Sequence, residues 1–213
     1  MIGVTFGSKH SYIDLSLILS SKEIETPTPK IKKVDVPGAD GELDFTEYFG
    51  IIKYKNRKLN FVFTHMGSAS DFPAKLSEIE NALHGNKMNI VLDDDPNFHY
   101  VGRVTVDAWE ENKGYATVTI SVDCEPYKYK NTETTVSQAI ASSGTVTLSN
   151  LKKPAVPKIS TNAPITIAWA GGTASLSSGN NQVVPEFVLA EGKTTVTITG
   201  TANVTFKYTE GGL

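Results

Sequence analysis

The chain has 213 residues, 39% hydrophobic and 20% charged, with a formal net charge of −3; this suits one large or two small domains with a buried core. The balance excludes a disordered polyanion and a protein built around phosphate contacts, which would carry a basic surplus. The single cysteine, Cys124, excludes an internal disulfide and any zinc site that draws on two or four cysteines.

In chain order, residues 1–9 lack the basic-then-apolar order of a secretory signal. No apolar run approaches the roughly 20 residues of a membrane helix, so a soluble chain folded in a cell interior is expected, without membrane insertion. Residues 31–47 read as a strand, a turn at Pro37-Gly38, a second tight turn at Asp40-Gly41 and a return strand. Residues 51–54 and 57–63 flank Lys55-Asn56 as a hairpin, with Leu59, Phe61 and Phe63 on one buried face. One segment has helical period: Ser70 or Asp71 as cap, Pro73 in the first turn, Phe72, Leu76, Ile79 and Leu83 as a stripe, and Gly85 as the stop. This predicts a helix over about 71–84, laid on the open face of the sheet. A long hairpin follows, with Val104, Val106 and Ala108 inward, a turn at 110–114, and Ala116, Val118, Ile120, Val122 and Cys124 inward again.

Composition shifts near residue 130. Residues 1–130 hold all four His, both Arg, 15 basic and 19 acidic side chains, a net of −4; residues 131–213 have only five Lys and four Glu. Two domains are therefore expected, 1–130 and 131–213. The second shows strands at 145–148, 165–169, 194–199 and 203–208, separated by turns at Gly171-Gly172, 178–181, Glu191-Gly192 and Gly200. Short alternating β-branched strands at this spacing indicate a β-sandwich or jelly roll.

Chemistry finds little footing. There is no Gly-x-Ser-x-Gly, and His10 and Ser11 point apart if their segment is extended. His84 falls at the helix C-terminus, where a cation complements the dipole. Asp93-Asp94-Asp95, with His99 nearby, lacks the glycine and glutamate of an EF-hand and reads as a turn. Phosphate-cradling glycine motifs are absent. The cluster Lys30, Lys32, Lys33 reads as a solvated strand edge, and Cys124 as a buried structural thiol. No catalytic residue, metal ligand or cofactor is assigned. A hydrolase would need a pocket lined by His99, Asp94 and Glu110.

The stretch 31–47, with Phe6-Gly7-Ser8-Lys9-His10-Ser11-Tyr12 before it, Pro27-Thr28-Pro29-Lys30 between, the 54–61 segment, the Pro73-to-Gly85 helix and the closing strands at 189–200 and 204–208, resembles the siphophage distal tail protein family. These are baseplate hub proteins of phages and prophages of Gram-positive bacteria. The resemblance implies a mainly β chain: an N-terminal β-sandwich-like domain with one α-helix, then a C-terminal galectin-like β-sandwich. It further implies a structural, non-enzymatic adaptor that forms a homohexameric ring at the virion tail tip, assembled in the host bacterial cytoplasm. The ring would join the tail tube protein to the tail-tip fibre or lysin protein, and the tape measure protein is a further candidate partner. DNA would pass through its channel without stable nucleic-acid binding. The galectin likeness raises an alternative, a carbohydrate-binding module for host cell-wall polysaccharide, although residues 131–213 carry Trp169 and neither His nor Arg. The interface residues proposed are Pro37, Gly38, Asp40 and Gly41, whose glycines have a competing structural explanation in a need for positive φ.

Overall fold

The computed structural model describes residues 2–48 and 50–213. The chain divides into two compact units, Met1–Pro126 and Tyr127–Leu213, four residues ahead of the composition change.

In the first unit the elements are β1 (Val4–Phe6), β2 (Lys9–His10), β3 (Ile18–Ile24), β4 (Lys33–Asp35), β5 (Glu42–Asp44), β6 (Arg57–Met66), α1 (Phe72–Leu83), β7 (Lys87–Leu92), β8 (Phe98–Asn112) and β9 (Tyr115–Lys130), which runs on into the second unit. The main sheet has the order β2-β1-β7-β8-β9-β6-β3, and β4 and β5 pair separately. Four strand spacings separate β1 from β6, about 19 Å in a flat sheet. Yet the Phe6 ring lies 5.8 Å from Phe61 and 6.1 Å from Phe63. The sheet therefore curls over so that its flanks face each other, which accounts for the sandwich-like character. Leu59, Phe61 and Phe63 meet Val118, Ile120 and Val122 in this core, and Ile79 and Leu83 of α1 join it.

Helix α1 starts and stops near the expected places. Gly85 takes φ +76, where a left-handed residue ends the helix. Asp71 occupies the N-cap without a side-chain cap bond, its φ and ψ already helical, because its carboxylate instead accepts the hydroxyls of Ser68 and Ser70. Phe72, Ile79 and Leu83 are buried, whereas Leu76 is only partly so.

In the first unit three local expectations need correction. Residues 51–54 do not form a hairpin with 57–63, because both edges of β6 are taken, by β3 and β9; Tyr54 bridges to Pro29 instead. The long hairpin turns more tightly than 110–114, since β8 reaches Asn112 and β9 starts at Tyr115. Along β8 the inward phase shifts after Val106, so Ala108 is exposed and Trp109 turns in to meet Phe72 and His65, at 6.0 and 6.5 Å.

In the second unit, β10 (Thr134–Ile140), β11 (Ser143–Asn150), β12 (Lys158–Thr161), β13 (Ile165–Trp169), β14 (Gly172–Leu176), β15 (Gly179–Val183), β16 (Gly192–Thr199), β17 (Ala202–Tyr208) and β18 (Gly211–Gly212) follow. Two four-stranded antiparallel sheets, β10-β17-β12-β15 and β11-β16-β13-β14, enclose a core of Val146, Leu148, Ile167, Phe187, Val196, Ile198, Val204 and Phe206. This is a β-sandwich. Gly172 and residues 179–181, expected as turns, lie inside β14 and β15. Ladder hydrogen bonds to β13 and β12 impose the strand conformation on a polar stretch that has little apolar alternation of its own.

Candidate assembly surface

Between β3 and β6 the chain leaves the core. None of the described residues between 25 and 56 belongs to the core of the first unit, and β4 and β5 are exposed along their whole length. The segment forms an arm. At its root, Lys30 N–H donates to Lys53 O, Lys55 N–H donates to Thr28 O, and Pro29 bridges to Tyr54. The root is anchored on both sides. Pro27 is buried on the incoming side. On the outgoing side the buried Arg57 guanidinium donates through Nε and Nη2 to Pro126 O, at 3.0 and 2.7 Å, and lies 5.4 Å from the Tyr100 ring.

The arm is an amphipathic ribbon. In its register Lys33 faces Asp44, Val34 faces Leu43 and Asp35 faces Glu42. Directly opposed residues share a face, so Val34 and Leu43 make one side apolar, while Lys33, Asp35, Glu42 and Asp44 make the other charged. Ile31 and Tyr48 are 62% and 73% exposed, and Val34, Val36, Leu43 and Ile51 are exposed as well. A two-stranded ribbon is marginal in water by itself, so its exposed apolar side is a candidate contact surface. The proposed contact residues Pro37, Gly38, Asp40 and Gly41 occupy the tip, all exposed. Gly38 and Gly41 take φ +84 and +77, the left-handed conformation that favours glycine. The apolar face was the feature missed from sequence. Its signal is the alternation of Val34 and Val36 with charged residues, repeated by Leu43 and Phe45.

The hydroxyl and N–H of Thr46 and, to a smaller degree, Lys33 keep the Asp44 carboxyl below its ordinary range. Lys33 Nζ also lies 3.3 Å from Glu42.

The other residues singled out from sequence are engaged structurally. His10 accepts the N–H groups of Tyr12 and Ile13 at Nδ1 and reaches Asp93 with Nε2 at 3.2 Å. Ser11 Oγ accepts Val4 N–H, so the two side chains serve separate contacts. Asp93 also accepts Gly3 N–H, and Asp94 pairs with Lys22. His84 is the C-cap of α1, as its position suggested, with its N–H donating to Glu80 O, and its Nδ1 accepts Val106 N–H. His65, not singled out, donates from Nδ1 to Ser16 O at 3.0 Å. Cys124 is fully buried, and burial pushes its thiol up to about 12. Two open hollows, of about 500 and 250 Å³, are lined by Glu80, Asn81, His84 and Asn86, and by Pro164, Ile165, Thr166, Ser175, Leu176 and Thr199. His99, Asp94 and Glu110 line neither. Among the described residues no three His, Cys, Asp or Glu side chains gather as a metal-binding group, and no helix is long and apolar enough to cross a membrane. Trp169 lies against Phe187 at 5.0 Å and packs on the sandwich core.

No protein-family model matches the chain, and no curated protein matches it. Among solved structures, the fold is that of a phage hub protein. The chain is similar to SPP1 Dit (gp 19.1), described as a paradigm of the hub adsorption apparatus in phages infecting Gram-positive bacteria, with a TM-score of 0.69, 16% sequence identity and 100% of each chain covered. At that identity the likeness is one of fold.

Proposed function

We propose that this protein is a distal tail (baseplate hub) component of a phage or prophage of a Gram-positive bacterium, located at the virion tail tip and acting as an adaptor without catalysis. The observation that carries the reading is the full-length fold likeness to SPP1 Dit, which runs through both units. In this role six copies close a ring through their N-terminal domains, residues 1–130, with the arm tip at Pro37, Gly38, Asp40 and Gly41 among the contacts. One face of the ring joins the tail tube and the other seats the fibre or lysin protein. The C-terminal domains, residues 131–213, project outward. The channel passes DNA, and an acidic or neutral wall avoids holding phosphates.

The uncovered apolar ribbon supports self-association, since a ring shelters surfaces that a lone protomer leaves wet. The carbohydrate-binding alternative is less favoured, because Trp169, the aromatic it would stack on, is half-buried and packs on Phe187 and the core. Light scattering with negative-stain microscopy tests the reading. A mass near six protomers and a ring with a central opening are expected, and a monomer at every concentration that binds cell-wall polysaccharide would replace the hub with the lectin. Retention of duplex DNA by the ring at physiological salt would overturn the neutral-or-acidic channel.

A further inference from the structure

Residues 11–16, between β2 and β3, are held at each end by an imidazole. At one end His10 Nδ1 accepts two backbone N–H groups, from Tyr12 at 3.2 Å and from Ile13 at 3.1 Å. An acceptor at Nδ1 puts the ring proton on Nε2, which donates to Asp93 Oδ2 at 3.2 Å. That oxygen also accepts Gly3 N–H at 2.7 Å. Gly3 lets the ring lie close to the chain, since a Cβ there would fall 2.6 Å from His10 Cε1. At the other end the roles reverse: His65 donates from Nδ1 to Ser16 O at 3.0 Å. Ser16 takes φ +54, a left-handed conformation that a residue other than glycine holds when its surroundings fix it.

The two rings respond to a proton in opposite ways. His65 already carries its proton on Nδ1, so protonation adds one at Nε2 and leaves the bond to Ser16 in place. Asp71 is the carboxylate in electrostatic reach of that ring. On His10 the added proton lands on Nδ1, against the two N–H groups held there. Both bonds are lost, and donor then faces donor. The charged groups around His10 are Asp93 at Nε2, Asp14, whose carboxylate accepts His10 N–H at 2.6 Å, and the adjacent Lys9 of β2. Asp94 beside them is paired with Lys22. The His10 side chain is partly exposed, so solvent reaches the ring.

We infer that the turn at residues 11–14 is proton-sensitive: neutral His10 holds it closed, and protonated His10 releases Tyr12 and Ile13 while Ser16 stays pinned. The closed turn binds fewer protons than the open one, so falling pH favours opening. The change stops short of the core. The N–H groups of Asp14 and Leu15 keep His10 O, Leu17 N–H keeps Ser11 O, and Leu15 and Leu17 remain buried. What moves is an exposed apolar pair, Tyr12 at 46% and Ile13 at 77%. Acid therefore alters one surface of the first unit and leaves its interior intact. The inference does not depend on the hub reading.

Hydrogen exchange of the full chain tests it, resolved to single amides and corrected for the intrinsic pH dependence of exchange, between about pH 8 and about pH 5. The Tyr12 and Ile13 amides should lose protection about fivefold or more toward acid, the worth of one hydrogen bond, while Leu15 and Leu17 keep theirs. His10→Asn sets Oδ1 where Nδ1 stands, an acceptor that does not titrate, and should keep both amides protected throughout. His10→Ala should leave both open at every pH. Asp93→Asn removes the negative partner of the imidazolium, so opening should move to lower pH. Wild-type protection that does not change with pH, or the same acid loss in His10→Asn, overturns the inference. Loss at Leu15 and Leu17 together with Tyr12 and Ile13 also overturns it, because that is unfolding of the unit. If His10→Ala does not fold, the wild type and His10→Asn still decide.

Discussion

Gly102 on β8 and Cys124 on β9 sit back to back. A Cβ built on Gly102 would fall 2.6 Å from Cys124 Sγ and 2.7 Å from Asp123 O, closer than real contacts allow. The glycine lets the two long strands approach. Gly102→Ala should therefore destabilise the first unit by about 1–3 kcal/mol, the range for overpacking a tight core, read from the denaturation midpoint. Cys124→Ala/Gly102→Ala should recover part of the loss, because the sulfur is removed; no recovery would place the strain at the Asp123 carbonyl and the Val122 side chain. The thiol also links stability to alkaline pH. In the unfolded chain it ionises near 9, whereas in the fold burial holds it protonated to about 12. Between those values the unfolded state binds fewer protons, so stability falls as pH rises, by about 1.4 kcal/mol per pH unit, and is flat below 9. Cys124→Ala should remove that part of the slope in denaturation curves taken from pH 8 to 11. Alternation along 116–124 placed this thiol inside from sequence. The Gly102 contact was invisible there, because it depends on the register of β8 against β9.

At the scale of elements, the two cores share no residue. Phe61 and Phe187 are each fully buried, one in each core. Truncating either to alanine costs about 3–5 kcal/mol. Calorimetry should resolve two transitions, Phe61→Ala lowering one and Phe187→Ala the other. A single transition moved equally by both would contradict independent units. Strands β6, β9, β13, β16 and β17 and the helix were readable because each pairs a buried face with a wet one, and that periodicity is written along the chain. Strands β14 and β15 were not, since their conformation comes from pairing. The Trp109 phase shift was hidden for a similar reason: only α1, packed on that end of β8, shows which side is inside.

The whole molecule exposes its arm to proteases as well as to partners. Lys30, Lys32, Lys33, Lys53 and Lys55 are exposed on backbone that supports no core. Limited trypsin should cut the monomer first between residues 30 and 55, and assembly should slow that cleavage at least several-fold. Cleavage first in the second unit, or no protection on assembly, would separate the arm from the contact. Alternation, helical period and turn residues follow from local stereochemistry, so the β-rich class, the single helix and the absence of disulfides were settled along the chain itself. The curl that brings Phe6 onto Phe61, the pairing of β6 with β3 and β9, and the uncovered face of the arm depend on contacts far apart in sequence. Only the folded chain decides which strand edges are already occupied and which side of the ribbon is left without a partner.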